Sequence, residues 1–334
     1  MIISYDQKGI SQMKALKITG KVLLYVIVSL IVLLLLLRLG VTVLYFDYFN
    51  NSKSEFLIPG LNTAFIPQGF DYIESADTYL ISGYTKDDSP SQIYVRKSNG
   101  DTRHVNLLYA DGNPYRKHAG GVCHNGEYLY IAGDDGVDVF SLHDVLEGRD
   151  ARKLGKILTG HAMAYCSFYD GYLLAGNFYH PGAYETPAEH RLTTPAGDAN
   201  TALITVFQTD SSSPFGINPT PVAAISTREK VQGICFTSDK EIVLSTSYGF
   251  ASSHLYRYRI DTLRSSTIQV LGGEVPLYYL DSANLTDTIT LPPMSEELVY
   301  RDGRIYVMCE SASNKYIFGK FIRGYQVFAY NIAA

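Results

Sequence analysis

The fold is decided by a stretch that reads His118-Ala-Gly-Gly-Val-Cys123, then Asn125-Gly126, then Leu129-Tyr-Ile-Ala-Gly133, then Val137-Asp-Val-Phe-Ser-Leu142. Two short apolar runs flank a tight polar turn, and a third run alternates apolar and polar residues. Asn-Gly between apolar runs is a strong hairpin signal, because both turn residues must adopt positive φ. The stretch therefore predicts three successive antiparallel β-strands.

The same template recurs four more times along the chain, in copies that begin at Ile66, Met163, Val231 and Met294. Two of these copies carry Asp170-Gly171 and Asp302-Gly303 at the first turn, and the Val231 copy turns near Asp239. Three Asn-Gly or Asp-Gly turns at equivalent places indicate a genuine repeat. Repeats of about 45 to 70 residues with several strands each are typical of propeller blades.

A fourth strand follows the third in most copies, at residues 104–108, 156–158, 222–226 and 287–291. The last copy has none, and Phe56-Leu-Ile-Pro59, ahead of the first copy, has the right character to supply it. A strand borrowed in this way closes the ring of a β-propeller and protects its edges. We therefore predict an all-β domain, a β-propeller with five blades. Six blades is the alternative, since residues 265–284 hold two further apolar pieces.

A long apolar segment precedes the repeats. Residues 22–37 are apolar apart from one serine, and the apolar character resumes after Arg38 up to Phe46. Since about 20 mostly apolar residues can span a membrane as a helix, we predict a transmembrane signal-anchor helix over residues 22–46. The aromatic residues that follow fit the membrane–water interface. They are Tyr45, Phe46, Tyr48 and Phe49.

Positive charge before the helix predicts its orientation. Lys8, Lys14, Lys17 and Lys21 face a single acidic residue, Asp6. Because positively charged flanks stay in the cytoplasm, we expect residues 1–21 to be a cytoplasmic tail and residues 50–334 an extracytoplasmic propeller at the cell membrane. A cleaved signal peptide is the alternative. However, only bulky residues follow Leu37, and no small-x-small cleavage site is present there.

Composition narrows the function classes. The chain has 28 Lys and Arg against 33 Asp and Glu, a formal net charge of -5. It therefore lacks the basic field that nucleic acid would require, and we expect no nucleic-acid partner. Its cysteines have no CxxC spacing, which argues against a zinc site. Each lies in an apolar run, which favours buried thiols over disulfides. They are Cys123, Cys166, Cys235 and Cys309.

Several motifs carry a resemblance. The paired openings Gln68-Gly69 and Gln232-Gly233, the Leu129-Tyr-Ile-Ala-Gly133 type of second strand and Pro292-Pro-Met-Ser-Glu-Glu297 resemble a group of bacterial secreted or membrane-anchored propeller proteins. The resemblance covers most of the chain from Ile66 onward and implies the propeller fold. The wider propeller superfamily includes lactonases, glycosidases, lectin-like binders and partner scaffolds, so the fold does not choose an activity.

Propeller geometry predicts where a ligand would bind. The loops that enter the inner strands and the loops between second and third strands open on one face, which we call the mouth. Gln68 and Gln232 have the alternative role of satisfying backbone groups near the axis, and His118 that of a core histidine. The polar residues expected at the mouth are Gln68, His118, Asp134, Asn177, Gln232, Tyr248, Glu296 and Glu310.

The carboxylates among these residues are candidate ligands for a metal ion. Glu296 and Glu297 are neighbours on a strand, so we expect at most one to face the channel and the other to lie between blades or at the surface. Calcium, which prefers oxygen ligands, is a candidate cofactor. Its ligands would be Glu296, Asn177, Asp134 and Gln232, although their spacing matches no motif.

Two enlarged loops, residues 178–200 and 311–323, mix aromatic and cationic side chains, which suits binding of a sugar or polypeptide. The sequence therefore predicts a ligand-binding or protein-interaction module at the cell surface, with a glycan, a cell-envelope component or a protein as ligand. The alternative is a calcium-dependent hydrolase of a lactone, ester or glycan, with Glu296 and His118 as acid–base groups or ligands. A scaffold with contacts on the blade flanks is a third interpretation.

Overall fold

A computed structural model of the chain describes residues 3–332. It contains two units, an N-terminal helix that ends at Leu44 and a β-rich domain that begins at Tyr45. The predicted tail and propeller also include residues 1–2 and 333–334, which lie outside the described residues. The side chains of Asp6, Lys8 and Lys14 lie outside them as well.

The N-terminal unit is a single helix, α1 (Ile3–Leu44), rich in leucine, which forms helices readily. Its segment Lys17–Leu44 reaches a mean hydropathy of 3.0 and is long and apolar enough to cross a membrane. A signal sequence would have the same length and composition. The helix predicted over residues 22–46 is therefore present, and it begins earlier and ends at Leu44.

The β-rich domain is an all-β propeller of five four-stranded antiparallel blades, as predicted. Blade 5 takes its outer strand from β1 (Ser52–Leu57), which comes first in the chain. Blade 1 consists of β2 (Phe65–Ile73), β3 (Thr78–Thr85), β4 (Gln92–Lys97) and β5 (Thr102–Leu108). Blade 2 consists of β6 (Val122–Asn125), β7 (Tyr128–Gly133), β8 (Gly136–Ser141) and β9 (Ala151–Leu158), with the short helix α3 (Leu142–Glu147) before β9.

Blade 3 consists of β10 (Tyr165–Tyr169), β11 (Tyr172–Gly176), β14 (Ala202–Thr209) and β15 (Ile217–Thr227), and its long loop holds the pair β12 (Leu192–Thr193) and β13 (Ala199–Asn200). Blade 4 consists of β16 (Val231–Phe236), β17 (Glu241–Thr246), β18 (Ser253–Arg259) and β21 (Leu285–Leu291). Blade 5 consists of β22 (Ser295–Arg301), β23 (Arg304–Cys309) and β24 (Gln326–Asn331), completed by β1.

Contacts between inner strands close the ring. β2 contacts β6, β6 contacts β10, β10 contacts β16, β16 contacts β22, and β22 returns to β2. Apolar clusters fill the spaces between neighbouring blades, for example Cys123, Tyr130, Leu173 and Phe207 between blades 2 and 3. Each blade buries its two faces against the neighbouring blades, so the stability of each blade depends on the complete ring.

The strand that closes the ring comes from the predicted region, but it begins and ends earlier in the chain than predicted. β1 pairs antiparallel with β24, and Phe56 lies opposite Val327. Ile58 and Pro59, which were predicted in this strand, lie beyond its end. Phe56 packs on Tyr79 of blade 1 with ring centroids 4.9 Å apart, so the closing strand also joins the first and last blades through its side chain.

The segment that raised the prospect of a sixth blade forms a hairpin instead. β19 (Ser265–Val270) and β20 (Gly273–Tyr279) pair with each other, and β20 runs parallel to β15 at the edge of blade 3. Val275, Leu277 and Tyr279 bury their side chains there beside Leu203. The two apolar pieces therefore extend blade 3, because its outer edge offers both hydrogen bonds and an apolar surface.

The first hairpin turns follow the prediction in two blades of three. Asp170-Gly171 and Asp302-Gly303 have positive φ at both residues. In blade 2, Asn125 pairs with Tyr128, so the turn lies one residue later and only Gly126 has positive φ. Glycine at the first turn position is the pattern of a type II′ hairpin, which also matches the twist of the strands.

The aromatic residues after α1 belong to the propeller. They lie in the short helix α2 (Phe46–Asn50) and just before it. Tyr48 stacks on Tyr330 at a centroid distance of 6.0 Å, and Phe49 packs edge-on against Phe328 at 5.4 Å. These rings, expected at a lipid interface, are buried because β24 presents aromatic partners to them. Phe46 alone among them is largely exposed.

Candidate functional site

Two sets of loops meet at the mouth. The loops that enter the inner strands form hydrogen bonds with the loops between second and third strands. Met163 N–H donates to Gly133 O at 2.8 Å, and Glu310 N–H donates to Met294 O at 3.0 Å. Blades 2, 4 and 5 each enter the inner strand through a residue at positive φ, namely Ala119, Lys230 and Met294. Such backbone is strained in residues with a side chain, and strain of this kind collects at functional sites.

Glu297 crosses the axis of the ring. It lies on β22 of blade 5, and its Oε2 accepts N–H groups of Phe70 in blade 1 and Val122 in blade 2, at 2.9 and 2.7 Å. Its Oε1 accepts the N–H of Cys166 in blade 3 at 3.2 Å. Blades 2 and 3 are not neighbours of blade 5, so this side chain spans the centre and joins the inner strands of four blades.

Two glycines make room for this carboxylate. A Cβ atom on Gly121 would lie 2.4 Å from Glu297 Oε1, and a Cβ atom on Gly233 of blade 4 would lie 2.4 Å from Glu297 Cα. Neither distance is compatible with a side chain, because both fall far inside van der Waals contact. The Gly233 of the repeated Gln-Gly opening therefore serves the approach of the fifth inner strand to the axis.

A register shift brings the neighbouring acid inward as well. The pairing of β22 with β23 slips between Ser295 and Leu298, so the strict alternation of a regular strand is broken at Glu296 and Glu297. Both carboxyl groups are buried, at 2 % and 1 % exposure. The sequence predicts one of them between blades or at the surface, but both are buried, because the bulge breaks the alternation of the strand.

Glu296 forms a pair of buried acids with Glu310 at the mouth. Glu310, in the β23–β24 loop, accepts a hydrogen bond at 2.8 Å from Gln68 Nε2, which also donates to Pro67 O. Glu296 Oε1 is buried and has no hydrogen-bond partner among residues 3–332. Three predicted mouth residues from blades 1 and 5 are thus brought together, and one of them has an unused acceptor.

Aromatic and cationic groups cover this acid pair. Lys315 Nζ donates to Tyr84 Oη at 2.6 Å and lies 5.1 Å from the centre of the Tyr84 ring and 4.9 Å from that of Tyr316. His118, exposed at the rim, stacks on Tyr84 with ring centroids 4.9 Å apart. The mouth between blades 1, 2 and 5 therefore has a polar floor and an aromatic wall.

Burial dominates the acid–base properties of the floor. It raises the pKa of Glu310 to about 7, against the opposing effects of Lys315, Gln68 and Tyr316. It also raises the pKa of Glu296, and the nearby charges of Glu310 and Glu297 raise it further. Burial raises the pKa of Glu297 too, but three N–H donors act in the other direction. Near neutral pH the Glu296–Glu310 pair therefore binds a proton readily.

The remaining four predicted mouth residues lie in blades 2, 3 and 4. Asp134 pairs with Lys117 at 2.6 Å, and the Asn177 side chain accepts from Leu203 N–H at 2.8 Å and contacts His190. Tyr248 lies against His180, with ring centroids 3.9 Å apart. Gln232 is half-buried beside Gly233. These four residues do not join the acid pair in this structure.

Two of the four predicted calcium ligands have other partners in the structure. Of the four oxygen donors that the sequence suggested, Asp134 and Asn177 are engaged with Lys117, Leu203 and His190. Within residues 3–332, no group of three or more His, Cys, Asp and Glu side chains is arranged to hold a metal ion.

Tyr84 is not among the residues predicted at the mouth, and the contact that Lys315 makes there is not predicted either. Tyr84 follows the second strand of blade 1 directly after Gly83, as Asp134 follows Gly133 and Asn177 follows Gly176. Aligning the five copies of the template would have identified it. The contact of Lys315 with Tyr84 joins residues of the first and last blades, and no local pattern indicates it.

No family model and no curated protein matches the sequence. Several solved structures are similar to this chain at low identity. A glutaminyl cyclase of Myxococcus xanthus is 13% identical, with a TM-score of 0.44 over 83% of this chain and 94% of that one. The PQQ-bound aldose sugar dehydrogenase of Streptomyces coelicolor is 12% identical, with a TM-score of 0.46 over 83% of this chain and 96% of that one.

A glucose dehydrogenase-like protein of Thermus thermophilus is similar to the same degree, with 13% identity and a TM-score of 0.46 over 83% of this chain and 98% of that one. At this identity, and with TM-scores below 0.5, these likenesses carry no argument about this chain. No sequence family supports the predicted resemblance to bacterial secreted or membrane-anchored propellers.

Identical substitutions at the two adjacent acids separate their roles. In Glu297→Gln, the amide nitrogen must face at least one backbone N–H, so we expect the free energy of unfolding to fall by about 1–3 kcal/mol. Glu296→Gln replaces a buried carboxyl group whose Oε1 has no hydrogen-bond partner among residues 3–332, so stability should stay the same or rise. Urea denaturation of both variants measures the difference. Equal losses in the two variants would contradict the assignment of the axial role to Glu297.

The raised pKa of Glu310 makes stability depend on pH. Its carboxyl group takes up a proton on folding between its ordinary pKa of 4.5 and about 7. The native state binds more protons in this window, so the free energy of unfolding falls as pH rises through it, by up to about 3 kcal/mol. Glu310→Gln should therefore gain stability relative to wild type between pH 5 and pH 8. Parallel curves for the two proteins would show that Glu310 has an ordinary pKa.

Proposed function

We propose that this protein is a propeller anchored in the cell membrane by α1, with its propeller outside the cytoplasm, and that the mouth binds a small polar ligand at Glu296 and Glu310. One observation carries the proposal: Glu296 Oε1 is buried without a hydrogen-bond partner in residues 3–332. An unsatisfied buried acceptor costs about 1–3 kcal/mol, and such groups persist where a ligand satisfies them.

The contrast with Glu297 supports a role in binding. Glu297 accepts hydrogen bonds from three backbone N–H groups of the fold, so its carboxylate needs no hydrogen bond from a ligand. Glu296, next to it, gains nothing comparable from the fold, although it is as deeply buried. A carboxyl group held at the mouth beside a second acid, with Gln68 and Tyr316 oriented by that acid, is a preorganised polar site.

The rim of the mouth suits a larger ligand around the polar centre. Large apolar side chains are exposed on the loops between second and third strands of blades 3, 4 and 5. Phe250 packs on Phe318 of the next blade, with ring centroids 4.8 Å apart. Exposed aromatic groups around a polar centre favour a glycan, a peptide or other cell-envelope material as ligand. The exposed side chains are Tyr184, Tyr248, Phe250, Ile317 and Phe321.

The location is supported by the N-terminal segment. Its length and hydropathy suit a membrane span, and Lys17 and Lys21 at its start favour a cytoplasmic N-terminus. The span is followed by bulky residues rather than a cleavage site, which favours a retained anchor.

A hydrolase is the second candidate. The observation that favours it is the pKa of Glu310, about 7, beside a second buried acid. A carboxyl group that titrates near neutral pH can act as a general base or acid, and two acids with different protonation can divide those roles. In this case a lactone, ester or glycoside would bind at the same floor, with no metal required.

Thiol labelling tests the topology. The four native cysteines are buried, so a cysteine introduced at an exposed site is the reactive one. We expect a membrane-impermeant maleimide to label Glu274→Cys, on the β19–β20 hairpin, in intact bacterial cells. Gln12→Cys in the N-terminal tail should react only after lysis. The reverse pattern would contradict an extracytoplasmic propeller.

A ligand screen tests the mouth. Thermal melts of wild type and Glu296→Gln are compared against amines, sugars, hydroxy acids and lactones. A ligand at about ten times its Kd stabilises by about 1.4 kcal/mol, a rise in Tm of about 2–4 °C. We expect such a rise in wild type, its loss in Glu296→Gln, and its retention in Asp134→Asn.

If every compound acts equally on wild type and Glu296→Gln, the proposed site is wrong. Turnover of a lactone, ester or glycoside that Glu310→Gln abolishes would instead make the hydrolase the better description.

A further inference from the structure

The chain enters the propeller at the mouth. Tyr45 is the first residue of the propeller unit, and its hydroxyl lies 3.0 Å from Ser252 Oγ. Ser252 belongs to the loop between the second and third strands of blade 4, which opens on the mouth. The membrane-spanning length of α1 ends at Leu44, so the chain leaves the span and reaches this loop within one residue.

A second contact marks the same side of the mouth. The Arg323 guanidinium lies 4.6 Å from the centre of the Phe49 ring, and Arg323 belongs to the loop between the second and third strands of blade 5. The first residues of the propeller unit therefore lie against the mouth loops of blades 4 and 5. We call these two loops, residues 247–252 and 311–323, the tether-side rim.

Large apolar side chains are exposed on the tether-side rim. Phe250 is 78 % exposed, Ile317 51 % and Phe321 41 %. Phe250 packs on Phe318 with ring centroids 4.8 Å apart, so the two loops present one continuous apolar edge. Exposed apolar edges of this kind occur on surfaces that contact a membrane or another protein.

The charge of the tether-side rim is positive. Its two loops carry Lys315, Lys320 and Arg323 and no acidic residue, although the whole chain has a net charge of -5. Lys315 donates to a tyrosine hydroxyl and Lys320 to two asparagine side chains, so both lysines contact neutral groups. Exposed aromatic side chains interleaved with cations are typical of segments that lie at the surface of a membrane with anionic lipids.

The other side of the mouth is acidic. In the corresponding loops of blades 1, 2 and 3, Asp and Glu outnumber Lys and Arg. These loops are residues 86–91, 134–135 and 177–201. An anionic surface would therefore attract one side of the mouth and repel the other. The side that it attracts is the side at which the chain arrives from α1.

We propose that the tether-side rim rests on the membrane surface, with its exposed apolar side chains among the lipid headgroups and its three cations against anionic headgroups. The inference rests on the anchoring proposed for α1, and it identifies lipid as the cell-envelope partner of this part of the mouth. Blades 1 to 3 then tilt away from the membrane, which leaves their side of the mouth open to solutes.

Fluorescence quenching in vesicles tests the contact. The full-length chain is reconstituted in phosphatidylcholine with about 30 % phosphatidylglycerol and a lipid that carries a nitroxide on its headgroup. A fluorophore is attached to one introduced cysteine, and the native cysteines do not compete because they are buried. Ala251→Cys lies in the blade 4 loop of the rim, Asp239→Cys at the opposite end of the same blade, and Gly40→Cys in α1. We expect strong quenching at Gly40→Cys and Ala251→Cys, and several-fold weaker quenching at Asp239→Cys.

Matched substitutions separate the apolar edge from the tether, which by itself keeps Ala251 near lipid. In the Ala251→Cys protein, Phe250→Ser combined with Ile317→Ser should reduce quenching several-fold. Leu154→Ser, which removes an exposed apolar side chain from the outer strand of blade 2, should leave it unchanged. Vesicles of phosphatidylcholine alone should also reduce it, because each basic residue near an anionic surface contributes about a five-fold factor.

Three outcomes would contradict the inference. Quenching at Ala251→Cys no stronger than at Asp239→Cys, with Gly40→Cys still quenched, would overturn the lipid contact and leave the anchor standing. Quenching at Ala251→Cys that neither the paired serine substitutions nor the loss of phosphatidylglycerol changes would overturn it as well, and would assign the apolar edge to a glycan or a protein. Absence of quenching at Gly40→Cys would contradict the anchor itself.

Discussion

The carboxylate of Glu297 is the interaction on which the ring depends. Inner strands of a propeller turn an edge toward the axis, and the N–H groups on that edge need acceptors. Here one side chain from blade 5 supplies acceptors for blades 1, 2 and 3 at distances of 2.7 to 3.2 Å. A hydrogen-bonded carboxylate thus joins the inner strands across the axis. Gly121 and Gly233 follow from this arrangement, because any side chain there would displace the carboxylate or its backbone.

The same local irregularity creates the candidate site. A regular strand would have sent Glu296 and Glu297 to opposite sides, but the slip between Ser295 and Leu298 turns both inward. Glu297 accepts hydrogen bonds from the backbone of three blades, whereas Glu296 lies near Glu310. Strained entry residues such as Met294, whose carbonyl accepts from Glu310 N–H, fix the second acid relative to the first. The same bulge therefore positions Glu297 at the axis and Glu296 at the mouth. The surrounding fold holds this strained backbone, which would be unfavourable by itself.

The number and order of the blades could be predicted because hairpin turns and strand alternation are local signals. The common face of the loops around Gln68 and Glu310 followed from antiparallel topology alone. By contrast, the slip at Glu296 depends on packing at the axis, and the turn at Gly126 shifted by one residue although the Asn-Gly signal was present. The β19–β20 hairpin joined blade 3 because of an apolar edge far away in sequence. The contact of Lys315 with Tyr84 links residues 231 positions apart, and only the closed ring brings them together.

The short connection between α1 and the ring has a mechanical meaning. α1 ends at Leu44 and β1, the strand that closes the ring, begins at Ser52. If α1 is anchored in a membrane as proposed, a pull on the propeller would enter the chain at this point. The load would reach the rings of Tyr48 and Phe49, packed against Tyr330 and Phe328, before the hydrogen bonds between β1 and β24. The aromatic packing of α2 would then have to break before tension reached the strand that closes the ring.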